Sequence, residues 1–166
     1  MFDSLGFSYI GLLFILMLTI PNLLWTQNQP KNYNPNQENK WLVFCERFGQ
    51  VLVTTLALLT PSFNITSIDL WTIWLFVAFF VMCMYESWWI RYFKSEHTLQ
   101  DFYSSYFGVP VAGATLPVIA FFLLGVYGCS IAMIISITIL GVGHIGVHLG
   151  HKKISDQNNA TKSVKS

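Results

Sequence analysis

Residues 109–149 contain no Asp, Glu, Lys or Arg. One helical crossing of a hydrocarbon core of roughly 30 Å takes about 20 residues, so this stretch is too long for a single span. It is also too uniformly apolar to be one face of a soluble core. Gly125, Gly128 and Ser130 mark a hairpin. The stretch therefore divides into spans at 109–126 and 129–151. The first of these is short and carries Pro110 and Pro117, so a re-entrant segment is its alternative reading.

The same measure finds spans at 5–25, at 41–60 (stopping before Pro61) and at 69–93. The first is read as a retained span and not a signal peptide. Asp3 stands where a basic region would be, the apolar stretch is too long, and no small-x-small cleavage site follows. Pro21 is expected to kink its last turn. The chain thus reads as all-α, an integral membrane bundle of five transmembrane helices over residues 1–151, with a polar tail at 152–166 expected to be disordered. The composition agrees: 54% of residues are hydrophobic and 10% charged, against about 25% charged in an average soluble chain.

The loops are polar. Residues 26–40 are rich in Asn and Gln and hold Pro30 and Pro35. Residues 94–107 place Leu99, Phe102, Tyr103 and Tyr106 at helical spacing, as an interfacial helix would. Asn64-Ile65-Thr66 has the form of a glycosylation acceptor. Every Lys and Arg falls in the first loop, the third loop, the tail or the adjoining helix ends. The positive-inside rule then sets the N-terminus outside and the C-terminus in the cytoplasm. Lys31, Lys40, Arg91, Lys94, Lys152 and Lys153 would lie near one membrane plane, where anionic lipids are the expected partner. No basic arm points to nucleic acid.

Ionisable groups inside spans are costly unless paired or wetted. Glu46 lies about 8 Å into the second span and Glu86 about 10 Å from the end of the third. His144 and His148 lie about 10 and 5 Å from the end of the fifth, which also carries His151. All these ends are on the basic side, so the groups share one layer. Glu46 has Gly49, Gln50, Val53 and Ala57 on its face, and Gly143, Gly146 and Gly150 flank the histidine stripe. These features predict a cytoplasm-side polar pocket binding a ligand through Asn22, Glu46, Gln50, Glu86, His144 and His148. His144 and His148, at i and i+4, are the candidate metal ligands. They could equally do acid–base work with a carboxylate. The plainer alternative is that these groups only anchor or cap helix ends. Glu38, in the first loop, serves as the reference outside the pocket.

Cys45, Cys83 and Cys129 form no C-x-x-C pair and read as small buried hydrophobes. Aromatics make up 16% of the chain. Trp25, Trp41, Trp71, Trp74, Trp88, Trp89, Tyr85 and Tyr92 lie mostly near span ends, as an interfacial aromatic belt does.

Several segments carry a resemblance: Gly6-Phe7-Ser8-Tyr9-Ile10-Gly11-Leu12, Ile20-Pro21-Asn22, Glu38-Asn39-Lys40 and Glu46-Arg47-Phe48-Gly49-Gln50 in the first half. Trp89-Ile90-Arg91-Tyr92-Phe93, the stretch from Pro110-Val111-Ala112 to Leu116-Pro117, and Gly143-His144-Ile145-Gly146-Val147-His148 follow in the second. Together they resemble a group of small, uncharacterised multi-pass bacterial membrane proteins. The resemblance implies a bacterial cytoplasmic membrane and brings no chemistry. The five-helix tryptophan-rich sensory protein (translocator protein) family compares in size and aromatic content, but its W-x-P elements are absent.

Three function classes follow: a ligand-binding or sensing membrane protein, an intramembrane enzyme acting on a lipid-like substrate, and a structural or accessory subunit. The absence of an inverted repeat argues against a standard secondary transporter unless the chain oligomerises, and a homo-oligomer or a partner membrane subunit is the further association expected.

Overall fold

The structure is a computed structural model that describes residues 5–31, 33–34 and 38–165, with side chains to residue 157. Six helices run through it: α1 (Tyr9–Trp25), α2 (Lys40–Leu59), α3 (Ile73–Phe93), the one-turn α4 (Leu99–Phe102), α5 (Ala112–Tyr127) and α6 (Ile131–Lys165). Among the described residues the only β pairing is an isolated bridge between Tyr106 and Val109. Three helical stretches are long and apolar enough to cross a membrane: Lys40–Leu59, Leu70–Phe93 and Ile131–Gln157. α1 and α5 are apolar but shorter, at 17 and 16 residues.

Local chemistry sets the boundaries. Ser8 caps α1 by accepting from Gly11 N at 2.9 Å, and Asn39 caps α2 by accepting from Trp41 N at 2.9 Å. α2 stops because Thr60 precedes Pro61 and takes an extended conformation. A capping box between Asp69 and Thr72 starts the turn that runs into α3. The hairpin falls at residues 128–130, where Cys129 adopts a positive φ of 51° and Ser130 N donates to Gly125 O at 2.9 Å. α5 begins later than the expected 109. Phe107, Gly108 and Val111 all take positive φ in the tight turn before it.

The tail departs from expectation. α6 continues unbroken to Lys165, because after Gly150 no Gly or Pro interrupts it. The segment 94–107 also differs. It forms only α4, with Thr98 and Asp101 in a capping box, and Phe102 and Tyr103 are buried in the bundle and not laid along an interface. The Thr98 hydrogen bonds hold the Asp101 carboxyl below its usual pKa.

The bundle has two distinct ends. At one, the chain before α1, the α2–α3 linker and the α5–α6 turn are tied together. Asn64 accepts from Tyr9 N at 2.9 Å and donates to Phe7 O at 2.9 Å, and Trp71 Nε1 donates to Tyr127 O at 2.9 Å. The described residues of this end include no Lys or Arg. At the other end, Tyr92 OH donates to Asn28 O at 2.7 Å and Lys31 N to His97 O at 3.0 Å. Lys31, Lys40, Arg91, Lys94, Lys152 and Lys153 cluster there.

Close helix seams hold the bundle together. α2 and α6 form the most extensive interface, and α3 packs on α5, which in turn packs on α6. A Cβ on Gly49 would come within 2.6 Å of the Leu140 backbone. One on Gly143 would strike the α2 backbone at Leu42 O and Glu46 N. Of the glycines beside the histidine stripe, Gly143 therefore does bring a second backbone close, whereas Gly146 meets only the Leu42 side chain and Gly150 faces open space. The outward surface stays apolar, with Leu16, Phe44, Val51, Phe76, Phe80 and Ile135 exposed, as on a membrane-embedded chain.

Two expectations about side chains are overturned. Trp41, Trp71 and Trp74 are exposed as belt residues would be, but Tyr85, Trp88, Trp89 and Tyr92 are core residues. Their spacing of three or four residues makes one inward stripe of α3, and Trp88 stacks on Tyr92 with ring centroids 6.0 Å apart. Trp25 stacks on Phe102 in the same cluster, at 5.6 Å. Nearness to a span end does not distinguish inward from outward. The cysteines are likewise not buried in protein: Cys45 is half-buried, and Cys83 and Cys129 are exposed. An apolar run in lipid has no need to turn its small hydrophobes inward.

Candidate functional site

The site starts from the α2–α6 seam. Because Gly143 has no side chain, α6 lies directly against the first turns of α2. The next residue, His144, then faces Glu46, and Nδ1 meets Oε1 at 2.8 Å. The two side chains keep 26% and 29% of their surface exposed, so the pair is partly accessible.

The pair opens onto a cavity of about 230 Å³ whose lining comes from α1, α2, α3, α5 and α6. Thr19, Asn22, Glu46, Gln50, Tyr85 and His144 supply its polar side chains, and Val53, Pro117, Phe121 and Leu140 are among its apolar walls. Asn22 Nδ2 donates to the Tyr85 hydroxyl at 2.9 Å and to Leu18 O at 2.7 Å. Thr19, Asn22 and Gln50 line the cavity yet are exposed, so its mouth lies between α1 and α2.

Four of the expected site residues thus come together: Asn22, Glu46, Gln50 and His144. His148 does not line the cavity. Its ring lies 4.5 Å from that of His144 but packs on Phe102 and Tyr103, at 5.6 and 5.4 Å. Glu86 also stands apart. It follows Tyr85 by one residue, and that rotation of about 100° takes it off the inward stripe of α3. One of its carboxyl oxygens is buried without a hydrogen-bond partner among the described residues. For the metal expectation at His144 and His148, the described residues contain no group of three or more His, Cys, Asp or Glu that could hold an ion.

A second cluster lies about two turns along α6. His151 Nε2 meets Glu38 Oε1 at 3.0 Å, and the Tyr33 hydroxyl donates to the same oxygen at 3.2 Å. The Tyr103 ring stacks on His151 at 5.6 Å. Burial first, and then the Glu38 carboxylate, push the Tyr33 phenol up to about 12; burial also raises that of Tyr103. Glu38 is therefore not a reference outside the polar network. His151 was legible as the third member of the stripe. A partner 113 residues away has no local signature.

No family model matches the chain, and neither the curated proteins nor the solved structures offer a match.

Proposed function

We propose that this chain is a five-span protein of the bacterial cytoplasmic membrane that binds or senses a small ligand in the cavity beside Glu46 and His144. The observation that carries this reading is the open space, mostly apolar but with a polar patch around Glu46, that is bounded by all five apolar helices. A bundle serving only as an accessory subunit would fill that volume with side chains, since interiors pack to crystal-like density.

The five-span arrangement is supported by the sorting of loops to two ends, one basic and one without Lys or Arg among its described residues. The basic end faces the cytoplasm by the positive-inside rule and meets anionic headgroups there. α1 and α5 span despite their length. Much of α5 is buried among its neighbours, so it need not match the bilayer by itself.

A second reading draws on one specific feature. The His144–Glu46 pair is an acid–base couple beside a cleft whose polar rim between α1 and α2 suits the headgroup, rather than the hydrocarbon, of a lipid-like substrate. Purification from native membrane, followed by mass spectrometry of co-purifying small molecules, tests the binding reading. A compound enriched with the wild type and lost from Glu46→Gln is the expected result. Identical extracts from both would refute it, and conversion of the compound during incubation would favour the enzyme.

A further inference from the structure

The hydrogen-bond inventory of the cavity favours a donor. Glu46 uses Oε1 on His144 and leaves Oε2 without a protein partner among the described residues. Asn22 spends its amide protons on Leu18 O and the Tyr85 hydroxyl, which leaves its carbonyl oxygen. Gln50 adds a second amide carbonyl. Against these acceptors stand three neutral donors, the Tyr85 and Thr19 hydroxyls and the Gln50 amide, and none of them offsets the Glu46 carboxylate. An ammonium group, with its N–H donors and positive charge, complements a carboxylate flanked by carbonyl oxygens.

A second space lies across the α5–α6 seam. It is a groove of about 460 Å³, lined by Phe122 of α5 and by Thr138, Gly141, Val142 and Ile145 of α6, among others. Its hydroxyl is already satisfied, since Thr138 donates to Ile134 O at 2.7 Å. Val118 and Ile137 line both spaces, so side chains alone divide groove from cavity. Val118 rests on Gly141, where a Cβ would come within 2.8 Å of it. The mouth between α1 and α2, by contrast, is rimmed by Thr19, Asn22 and Gln50, an unfavourable exit for hydrocarbon.

We propose that cavity and groove form one two-part site for a single-chain primary amine, its ammonium held at Glu46 and its alkyl tail passing Val118 into the α5–α6 groove. The assignment rests on the ligand-binding reading above and names the ligand's chemistry. The head supplies the charge-assisted hydrogen bonds. The tail finds dry walls and a floor kept open by Gly141.

The test uses the full chain in phosphatidylcholine nanodiscs with a twelve-carbon primary amine carrying a terminal diazirine. Photolysis and peptide mapping locate the tail. Crosslinks at Phe122, Val142 or Ile145 are expected, with competition by dodecylamine but not by dodecanol or dodecanoic acid. Glu46→Gln should reduce them by roughly tenfold or more, the order of a lost charge-assisted hydrogen bond. Gly141→Leu should move the crosslinks out of the groove without abolishing competition by short amines. Groove crosslinks displaced equally by dodecanol would mark ordinary lipid contact and overturn the proposal. Amine-specific crosslinks confined to α1 and α2 would overturn the tail's placement and leave ligand binding standing. No amine-specific crosslink would overturn the amine assignment, and the co-purification experiment then decides separately whether the cavity binds anything. The competition arms use only the wild type, so a misfolded variant does not block the result.

Discussion

Alanine at Gly143 and alanine at Gly150 should change stability in opposite directions, although both residues lie on α6 within two turns. At Gly143 the new methyl would meet Leu42 O and Glu46 N and lie 2.9 Å from Glu46 Cα. These are helix backbone atoms that cannot rotate aside, so α2 and α6 must part along their interface. Overpacking of this kind costs about 1–3 kcal/mol. Replacing a helical glycine returns about 0.5–1 kcal/mol. The net expectation for Gly143→Ala is a loss of about 0.5–2 kcal/mol. At Gly150 nothing lies within 4 Å, so only the gain applies. The variants should therefore differ by about 1–3 kcal/mol, or several degrees in melting temperature at about 2–4 °C per kcal/mol for a chain this size. Intrinsic tryptophan fluorescence on heating reports the transition, because Trp88 and Trp89 are buried. Gly143→Ala should also lengthen the His144–Glu46 contact and weaken ligand binding. If Gly143→Ala melts at or above Gly150→Ala, the close α2–α6 seam is refuted.

Glu38→Gln should destabilise the protein by about 1–3 kcal/mol, because it strips a charged acceptor from partly buried partners, His151 and Tyr33; denaturation equal to wild type would contradict this. Tyr33 keeps its proton to about pH 12 in the fold, against 10.0 ordinarily, so in that window the unfolded chain binds fewer protons and stability falls as pH rises. That contribution is intact below pH 10, and Tyr33→Phe should flatten the alkaline decline, as measured by unfolding across the same range. For topology, Cys129 at the α5–α6 turn should react with an impermeant maleimide on intact cells, whereas a cysteine replacing exposed Glu96 should react only after permeabilisation. The reverse pattern would invert the orientation.

Hydropathy and turn residues made the five apolar helices legible, because span length and Pro or Gly punctuation act locally. The Glu46–His144 contact was also foreshadowed, since equal depth and small flanking residues are properties of each helix taken separately. What escaped depends on how helices rotate against one another. Tyr85 and Glu86 are neighbours in sequence, yet one lines the cavity and the other does not. Amphipathic contrast, which would settle such rotations in water, is weak when both the interior and the surroundings are apolar. Glu38 was missed for a different reason: a loop carboxylate acquires its role from a chain crossing it more than a hundred residues later.

The uninterrupted course of α6 has a mechanical consequence. Its 35 residues form a rod of about 52 Å, well beyond the roughly 30 Å of a hydrocarbon core. Ile137 and His144 touch the cavity, and from His144 to Lys165 the rod extends about 31 Å further. With no glycine or proline after Gly150 to absorb bending, motion at the cavity is carried to the tip as leverage. A tilt of about 5° pivoting at His144 sweeps the far end by about 3 Å, enough to displace a contacting surface by a full atomic diameter.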